Sequence, residues 1–501
     1  MHAEGLPVDS LAFALDVAAS AVGAVRQGAS LPSALQTAFQ ARAAMTAHAS
    51  VSADHASSDW RGASQDIAYR AIRALGLTDA LIAEMVAKPP APPVRDLLAC
   101  ALTLLVAADD ASIAVAGDQS VAPVHATTDE RDAASTVLAT SESSSFASLE
   151  TPRAQTAAPF GRAAPYAAHT VVDQAVTAAA AAEDTRFARG MVNAVLRTFL
   201  REAPVLRQRV AQQRVARWSY PEWWIDAVRR AWPTQWQAIL EAGNKPAPMT
   251  LRVNTRQSSP DAYLVTLSEA GIVAYPAAPS GVRLSRAVPV NRLPGFSQGA
   301  VSVQDAGAQR AALLLDVRDG MRVLDACAAP GGKTGHLLEL ADIELVALES
   351  DAGRVPRITE NLQRLGMHAD IRIGDAARLE DWWDGRSFDR VLADVPCSAS
   401  GIVRRHPDIR WLRRPADIGV LVQTQRRILN ALWQTVASGG ELLYVTCSIF
   451  PEEGEEQARW FEGGRQDAVR LDAPGQLTPV VAASGSDADH DGFFYARFRK
   501  R

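Results

Sequence analysis

From about residue 300 the sequence alternates short apolar runs with helical stretches, and nearly every apolar run ends in an acid or a cysteine. The runs are MRVLDACA, ELVALES, ADIRIGDA, FDRVLADVP and ELLYVTCS, separated by GHLLEL, RITENLQRLG and ILNALWQTVASGG. Alternation of this kind builds βαβ units in a doubly wound, mostly parallel sheet. Nothing strand-like precedes about residue 248, so an all-α region is expected in front. Between them, residues 248–300 read as a small α/β module: PMTLRVNT a strand, DAYLVTLSEAG a helix with a glycine stop, GVRLSR a second strand.

Helical periodicity fills 10–48, 60–106 and 166–201, interrupted by Pro89, Pro90, Pro92 and Pro93. Residues 108–165 are poor in large apolar side chains and predict a disordered insertion. Residues 107–165 hold eight acids against three bases, a surplus equal to the whole chain's net charge of −5. The remainder is therefore neutral, and local basic patches keep their effect. Four of the 51 basic residues are Lys. Arg suits phosphate contacts, although a composition bias that also over-uses Ala produces the same excess.

Four cysteines in 501 residues make no disulfide framework and fit a reducing compartment. MHAEGLPVDS does not read as a signal peptide, and the most apolar stretch, LLACALTLLVAA, is too short to span a bilayer. A cytoplasmic protein with no membrane and no metal partner is expected.

VLDACAAPGGKTGHLLEL (323–340) is a strand, a Pro–Gly–Gly turn and a helix start. Glycines there let a ligand approach the backbone, and the helix start offers free N–H groups. The run is not a P-loop, because that motif needs Gly where Cys327 stands. Asp325, Glu349 and Asp375 all follow strands, on the edge where such sheets bind ligands. Three acids repel a polyphosphate. They suit an adenosyl ligand carrying positive charge, which points to S-adenosylmethionine, with Glu349 on the ribose and Asp375 on the adenine amino group.

Cys397 and Cys447 end two strands on the same edge. Carbon 5 of cytosine is a poor nucleophile; thiolate addition at carbon 6 makes an enamine that can attack an electrophilic methyl group. Asp394 could hydrogen-bond the pyrimidine. The spacing leaves open which thiol attacks. GIVRRHPDIRWLRR (401–414) reads as a phosphate-holding loop or as a solvated basic surface. Arg- and Trp-rich residues 201–230 suit RNA, or form an amphipathic helix with a buried Trp face.

DACAAPGGKT, DVPCS and VTCS, in this order, resemble the NOL1/NOP2/Sun family of RNA 5-methylcytosine methyltransferases. RRHPDIRW, with VVDQAV…RGMVNAVLR (171–197) in front, resembles the bacterial members that carry a NusB-like domain and methylate a cytosine of 16S ribosomal RNA. The resemblance implies a multi-domain chain: an all-α NusB-like RNA-binding domain (1–200), linker helices with the small α/β module (201–300), and a Rossmann-like doubly wound α/β methyltransferase domain (301–501). It implies S-adenosylmethionine held by Cys327, Ala328, Ala329, Pro330, Gly331, Gly332 and Lys333, with Glu349, Asp375 and Asp394. It implies Cys447 as nucleophile, Cys397 assisting breakdown of the adduct, Asp394 facing the cofactor methyl and target base, and a monomer acting on 16S rRNA. Glu349 departs from the family's usual Asp and is longer. A non-catalytic RNA-binding assembly factor, or a methyltransferase for protein or small molecules, are the competing expectations.

Overall fold

The computed structural model describes residues 5–47, 59–119, 166–277, 280–479 and 489–501. The first part is helical: α1 (Leu11–Arg26), α2 (Leu31–Ala47), α3 (Asp59–Arg73), α4 (Leu75–Met85), α5 (Pro92–Gln119), α6 (Ala168–Ala181) and α7 (Arg189–Val210). Ser10 starts α1 by accepting from the Phe13 N–H. Small Ala12, Ala14, Ala18 and Ala21 are buried on α1 beside Leu15 and Val22, which lets α2, α3, α5 and α6 pack closely around it. Cys100 is fully buried in this core.

Helix α5 continues to Gln119, so residues 108–119, expected to open a disordered insertion, are helical instead. Two of their acids are paired: Arg207 of α7 meets Asp109 at 2.7 Å and Asp110 at 2.6 Å. Residues 120–165 of that expected insertion lie outside the described residues. Among the described residues no helix is long and apolar enough to cross a membrane.

Three short helices follow: α8 (Arg214–Trp218), α9 (Glu222–Ala231) and α10 (Trp236–Asn244). Trp218, Tyr220, Trp224, Ile225 and Val228 are buried against Val403, Ile449 and Phe450. The small module holds β1 (Thr250–Val253), α11 (Pro260–Glu269), β2 (Ala274–Ala277), β3 (Gly281–Leu284) and β4 (Val301–Val303). Its antiparallel sheet has the order β2-β3-β1-β4, so β4 joins this sheet although it lies beyond residue 300. Arg252 of β1 is fully buried and donates to Glu339 at 2.8 and 2.6 Å and to the Gly332 carbonyl at 2.8 Å. The module is thereby fixed to the helix that begins at the glycine turn.

The large domain comprises α12 (Ala306–Leu315), β5 (Arg322–Ala326), α13 (Gly332–Leu340), β6 (Glu344–Glu349), α14 (Val355–Leu365), β7 (Asp370–Ile373), β8 (Phe388–Asp394), α15 (Ile409–Leu412), α16 (Pro415–Thr435), β9 (Val436–Thr446), α17 (Glu455–Gly463), β10 (Ala468–Leu477) and β11 (Phe493–Lys500). The sheet order is β10-β11-β9-β8-β5-β6-β7. Strands β5 to β9 are mutually parallel, while β11 and β10 extend the sheet antiparallel beyond β9. The chain runs outward from β5 to β7 and then returns to β8 beside β5. That reversal opens a crevice at the carboxyl ends of β5 and β8, where doubly wound sheets bind ligands.

Candidate active site

The turn after β5 is shaped by two left-handed residues, Cys327 (φ 67°) and Gly331 (φ 91°). A Cβ on Gly331 would stand 3.2 Å from the Ile358 backbone, so glycine is required there for both conformation and space. The Ala328 N–H donates to the Leu348 carbonyl at 2.9 Å and the Gly331 N–H to the Ala328 carbonyl at 2.7 Å. The turn is thus tied to β6 before α13 begins.

Asp325, at the end of β5, is 1 % exposed. One carboxyl oxygen accepts from the Thr334 hydroxyl at 2.6 Å, and Oδ1 is buried without a partner. Burial raises its pKa to about 7; the Thr334 bond opposes the rise and the nearby Asp394 charge adds to it. Glu349 ends β6 nearly buried and accepts from the backbone N–H groups of Ala329 (3.2 Å) and Asp351 (3.0 Å). Asp375 lies exposed after β7 and accepts from the Ala377 N–H.

Lys333 does not point at an open turn. Its ammonium lies 2.5 Å from Asp394 Oδ2, at the end of β8. Burial alone would pull the ammonium down, but Asp394, and behind it Cys447 and Asp325, outweigh that and hold it above its usual value. The glycine turn and the end of β8 are therefore joined by one ion pair.

The two cysteine sulfurs sit 3.4 Å apart. The hydrogen bond to Cys447, then burial, push the Cys397 thiol well above its ordinary value. Beneath the pair lies a polar cluster that the motifs did not announce. Glu453 is fully buried and accepts from the Ser398 N–H (2.8 Å), the Ser398 hydroxyl (2.5 Å), the Ser448 hydroxyl (2.7 Å) and Gln425 Nε2 (3.0 Å). Its own carbonyl accepts from Tyr444 and Thr446. The serines follow the two cysteines directly, in PCS and TCS. That repeated Ser, with a downstream PEE, is the signal the sequence carries for this cluster.

The basic loop is a correction. Neither a phosphate loop nor a solvated surface describes Arg404, Arg405 and Arg410. Arg404 and Arg405 are tied to Asp491, and Arg405 also to Asp305 at 2.8 Å. Arg410 is fully buried, 3.8 Å over the Tyr220 ring, and donates to the carbonyls of Ser219 and Gly243 and to Asn244. The same segment docks on the helical region: Asp408 accepts from the Leu31 N–H and Trp411 donates to the Ile72 carbonyl. Arg413, at its far end, donates to the carbonyls of Ser398 (3.1 Å) and Cys397 (3.3 Å). Among the described residues no group of three or more His, Cys, Asp or Glu could hold a metal ion.

A doubly wound sheet with acids along its switch-point crevice and a thiol pair at neighbouring strand ends defines a Rossmann-like α/β domain of the ligand-binding kind. Residues 312–499 match the family model described as 16S rRNA methyltransferase RsmB/F, and residues 220–291 match the ferredoxin-like domain of RsmF/B-like methyltransferases. The ribosomal RNA small subunit methyltransferase B of Cronobacter sakazakii is 45% identical over 337 residues, 66% of this chain and 78% of that protein. The protein of the same name from Vibrio vulnificus is 44% identical over 332 residues, 66% of this chain and 78% of that one. The crystal structure of PH0851 shares the fold with a TM-score of 0.67 at 22% identity, covering 99% of this chain and all of that one. The chain belongs to the RsmB/F family of 16S rRNA methyltransferases.

Proposed function

We propose that this chain methylates carbon 5 of a cytosine in 16S ribosomal RNA, through a covalent bond between Cys447 and carbon 6 of the base. The observation that carries this reading is the thiol pair, 3.4 Å apart, at the reaction end of the crevice. Amino-group methylation needs no thiol, and a structural pair would not face a ligand crevice.

The residues present fit S-adenosylmethionine. Asp325 Oδ1 is a buried acceptor without a partner, at the end of β5 beside the glycine turn. The turn Cys327–Lys333 would hold the cofactor, with Glu349 at the ribose and Asp375 at the adenine. When bound, the cofactor supplies an electrophilic methyl group.

The hydrogen bond to Cys447 and then burial favour the neutral form of the Cys397 thiol. The family resemblance gives the attack on carbon 6 to Cys447, and the Lys333 ammonium places a positive charge near the pair. Addition turns carbon 5 into an enamine carbon that takes the methyl group. A base then takes the carbon 5 proton, its C–H electron pair re-forms the 5,6 double bond and the Cys447 sulfur leaves as thiolate; the family resemblance gives Cys397 the part of assisting that breakdown. Asp394, held by Lys333, faces the target base. The helical region is assigned as a NusB-like RNA-binding domain on the 171–197 motifs, residues 201–300 as linker and RNA-binding module, residues 301–501 as the catalytic domain, and the enzyme as a monomer.

The test is methyl transfer from labelled S-adenosylmethionine to unmodified 16S rRNA, with adducts run on a denaturing gel. Cys447→Ala is expected to be inactive without an adduct, and Cys397→Ala to trap one. Full transfer by Cys447→Ala would overturn the mechanism.

A further inference from the structure

A cleft of about 740 Å³ opens between α9, the start of α16 and the loop after Cys447. Its volume lies in the range of small-ligand sites. Trp223, Ile418 and Phe450 form its apolar wall, and Arg229 and Arg230 stand at its edge. Phe450 and Glu452 follow Cys447 by only three and five residues. On the opposite rim Pro415 lies two residues from Arg413, which holds the Cys397 and Ser398 carbonyls. The cleft is therefore lined in part by residues three to five positions after Cys447 and by the residue two after Arg413.

Most other cations in residues 201–230 are engaged, Arg209 sharing with Arg229 and Arg230 the lack of a partner among the described residues. Arg207 is paired with Asp109 and Asp110, and Arg214 with Glu222 and Asp226. Arg217 lies over Trp218, 4.9 Å from the ring centre. Arg229 and Arg230 are exposed and make no ion pair or hydrogen bond among the described residues. Trp224 is fully buried, whereas Trp223 is only partly so, its ring 6.1 Å from that of Phe450. Of the two acids at the cleft, Asp226 shares Arg214 with Glu222, and Glu452 stands with the two unpaired cations Arg229 and Arg230.

We infer that this cleft is a subsite for single-stranded RNA next to the target cytosine, with a base stacked on Trp223 and phosphates on Arg229 and Arg230. It rests on the reading of the thiol pair as an RNA-modifying centre. An aromatic face beside unpaired Arg is what single-stranded nucleic acid binding requires, and it tolerates any base because every base has a π-face. The partner is set by the pairing of an aromatic face with two unengaged guanidinium groups, which suits a stacked chain that carries phosphates.

The test uses the full chain and a fluorescein-labelled oligocytidine 12-mer, read by anisotropy at two salt concentrations, together with methyl transfer to unmodified 16S rRNA. Arg229→Ala/Arg230→Ala lies on the exposed face and leaves the fold intact. It is expected to weaken 12-mer binding about tenfold and to make the salt slope shallower by about 0.7 for each phosphate no longer neutralised. Trp223→Ala is expected to weaken binding about 5- to 100-fold. Trp223→Phe, which keeps a ring against Phe450, is expected to restore most of that affinity. Both the Arg and the Trp→Ala variants should raise the KM for RNA while kcat at saturating RNA and the affinity for S-adenosylmethionine stay unchanged. Binding equal to wild type in both the Arg and the Trp variants overturns the subsite, even if wild-type methyl transfer is intact. Weakened binding in those variants, in a chain that transfers no methyl group, supports the subsite and removes the catalytic reading instead.

Discussion

Glu453 Oε2 lies 2.7 Å from the Ser448 hydroxyl, and the same carboxylate accepts from Ser398, so one buried charge joins the residues that follow each cysteine. A carboxylate with four donors converging on it is well satisfied, but each donor is stranded if it is removed. Glu453→Ala is expected to cost about 3–5 kcal/mol, seen as a lower Tm. Glu453→Gln keeps the shape but puts an amide where hydroxyl donors point, and should cost about 1–3 kcal/mol. Because Glu453 positions the thiols rather than touching the substrate, kcat should fall in Glu453→Gln while the affinity for S-adenosylmethionine is kept. A Gln variant with wild-type kcat would make the cluster merely structural.

Lys333 and Asp394 link the glycine turn to the carboxyl end of β8. Both side chains are largely buried, 15 % and 27 % exposed. Removing one leaves the other charge without its partner in a site with little water. Lys333→Met and Asp394→Asn should each lower kcat at least about a hundredfold. The double variant should be far less than additively worse, since the two act as one unit. Strict additivity in the cycle would separate their roles.

Much of this arrangement is legible in the chain. The strand-ending acids and cysteines mark the crevice because a parallel sheet places all its carboxyl ends on one edge, whatever the long-range packing. The antiparallel strands β10 and β11 escape a local reading because Pro474 and Gly475 interrupt the strand pattern of β10, where the register shifts, and β11 takes its other ladder from β9 some 50 residues earlier. Arg404, Arg405 and Arg410 mislead for a related reason. Their compensating groups Asp491, Asp305 and Asn244 are remote in the chain, and a local charge count cannot see them. Asp109 and Asp110 look like the start of a solvated insertion until their partner, Arg207 on α7, is in place.

Arg410 separates a structural basic loop from an RNA-binding one. Its guanidinium is held by two backbone carbonyls, Asn244 and the face of Tyr220. Lys has no planar fork to reproduce this. Arg410→Lys should therefore lower the Tm, with a cost of about 2–4 kcal/mol, because hydrogen bonds to a charged group and the stacking on Tyr220 both disappear. The salt slope of RNA binding, measured below the new Tm, should not change. A reduced slope would return Arg410 to the RNA surface.

Asp325 gives the crevice a pH dependence whose sign can be worked out. Its carboxyl is pushed up to about 7, chiefly by burial. Between about pH 4 and 7 the folded chain holds a proton that the unfolded chain has released. Stability from this group therefore falls as pH rises through that window, by up to about 4 kcal/mol, and is flat above it. A cationic ligand reverses the preference, because a positive charge near Asp325 favours the carboxylate. Below about pH 7, binding S-adenosylmethionine must then expel that proton, so affinity should climb from about pH 5.5 to about 7 and level off as far as this group is concerned. Asp325→Asn should flatten the climb. Thr334→Val removes the hydrogen bond that opposes the shift, and should move the midpoint to higher pH. Calorimetry in buffers of different ionisation enthalpy counts the released proton directly. A flat wild-type profile with no proton release would place the ligand's positive charge away from Asp325, and with it away from the end of β5.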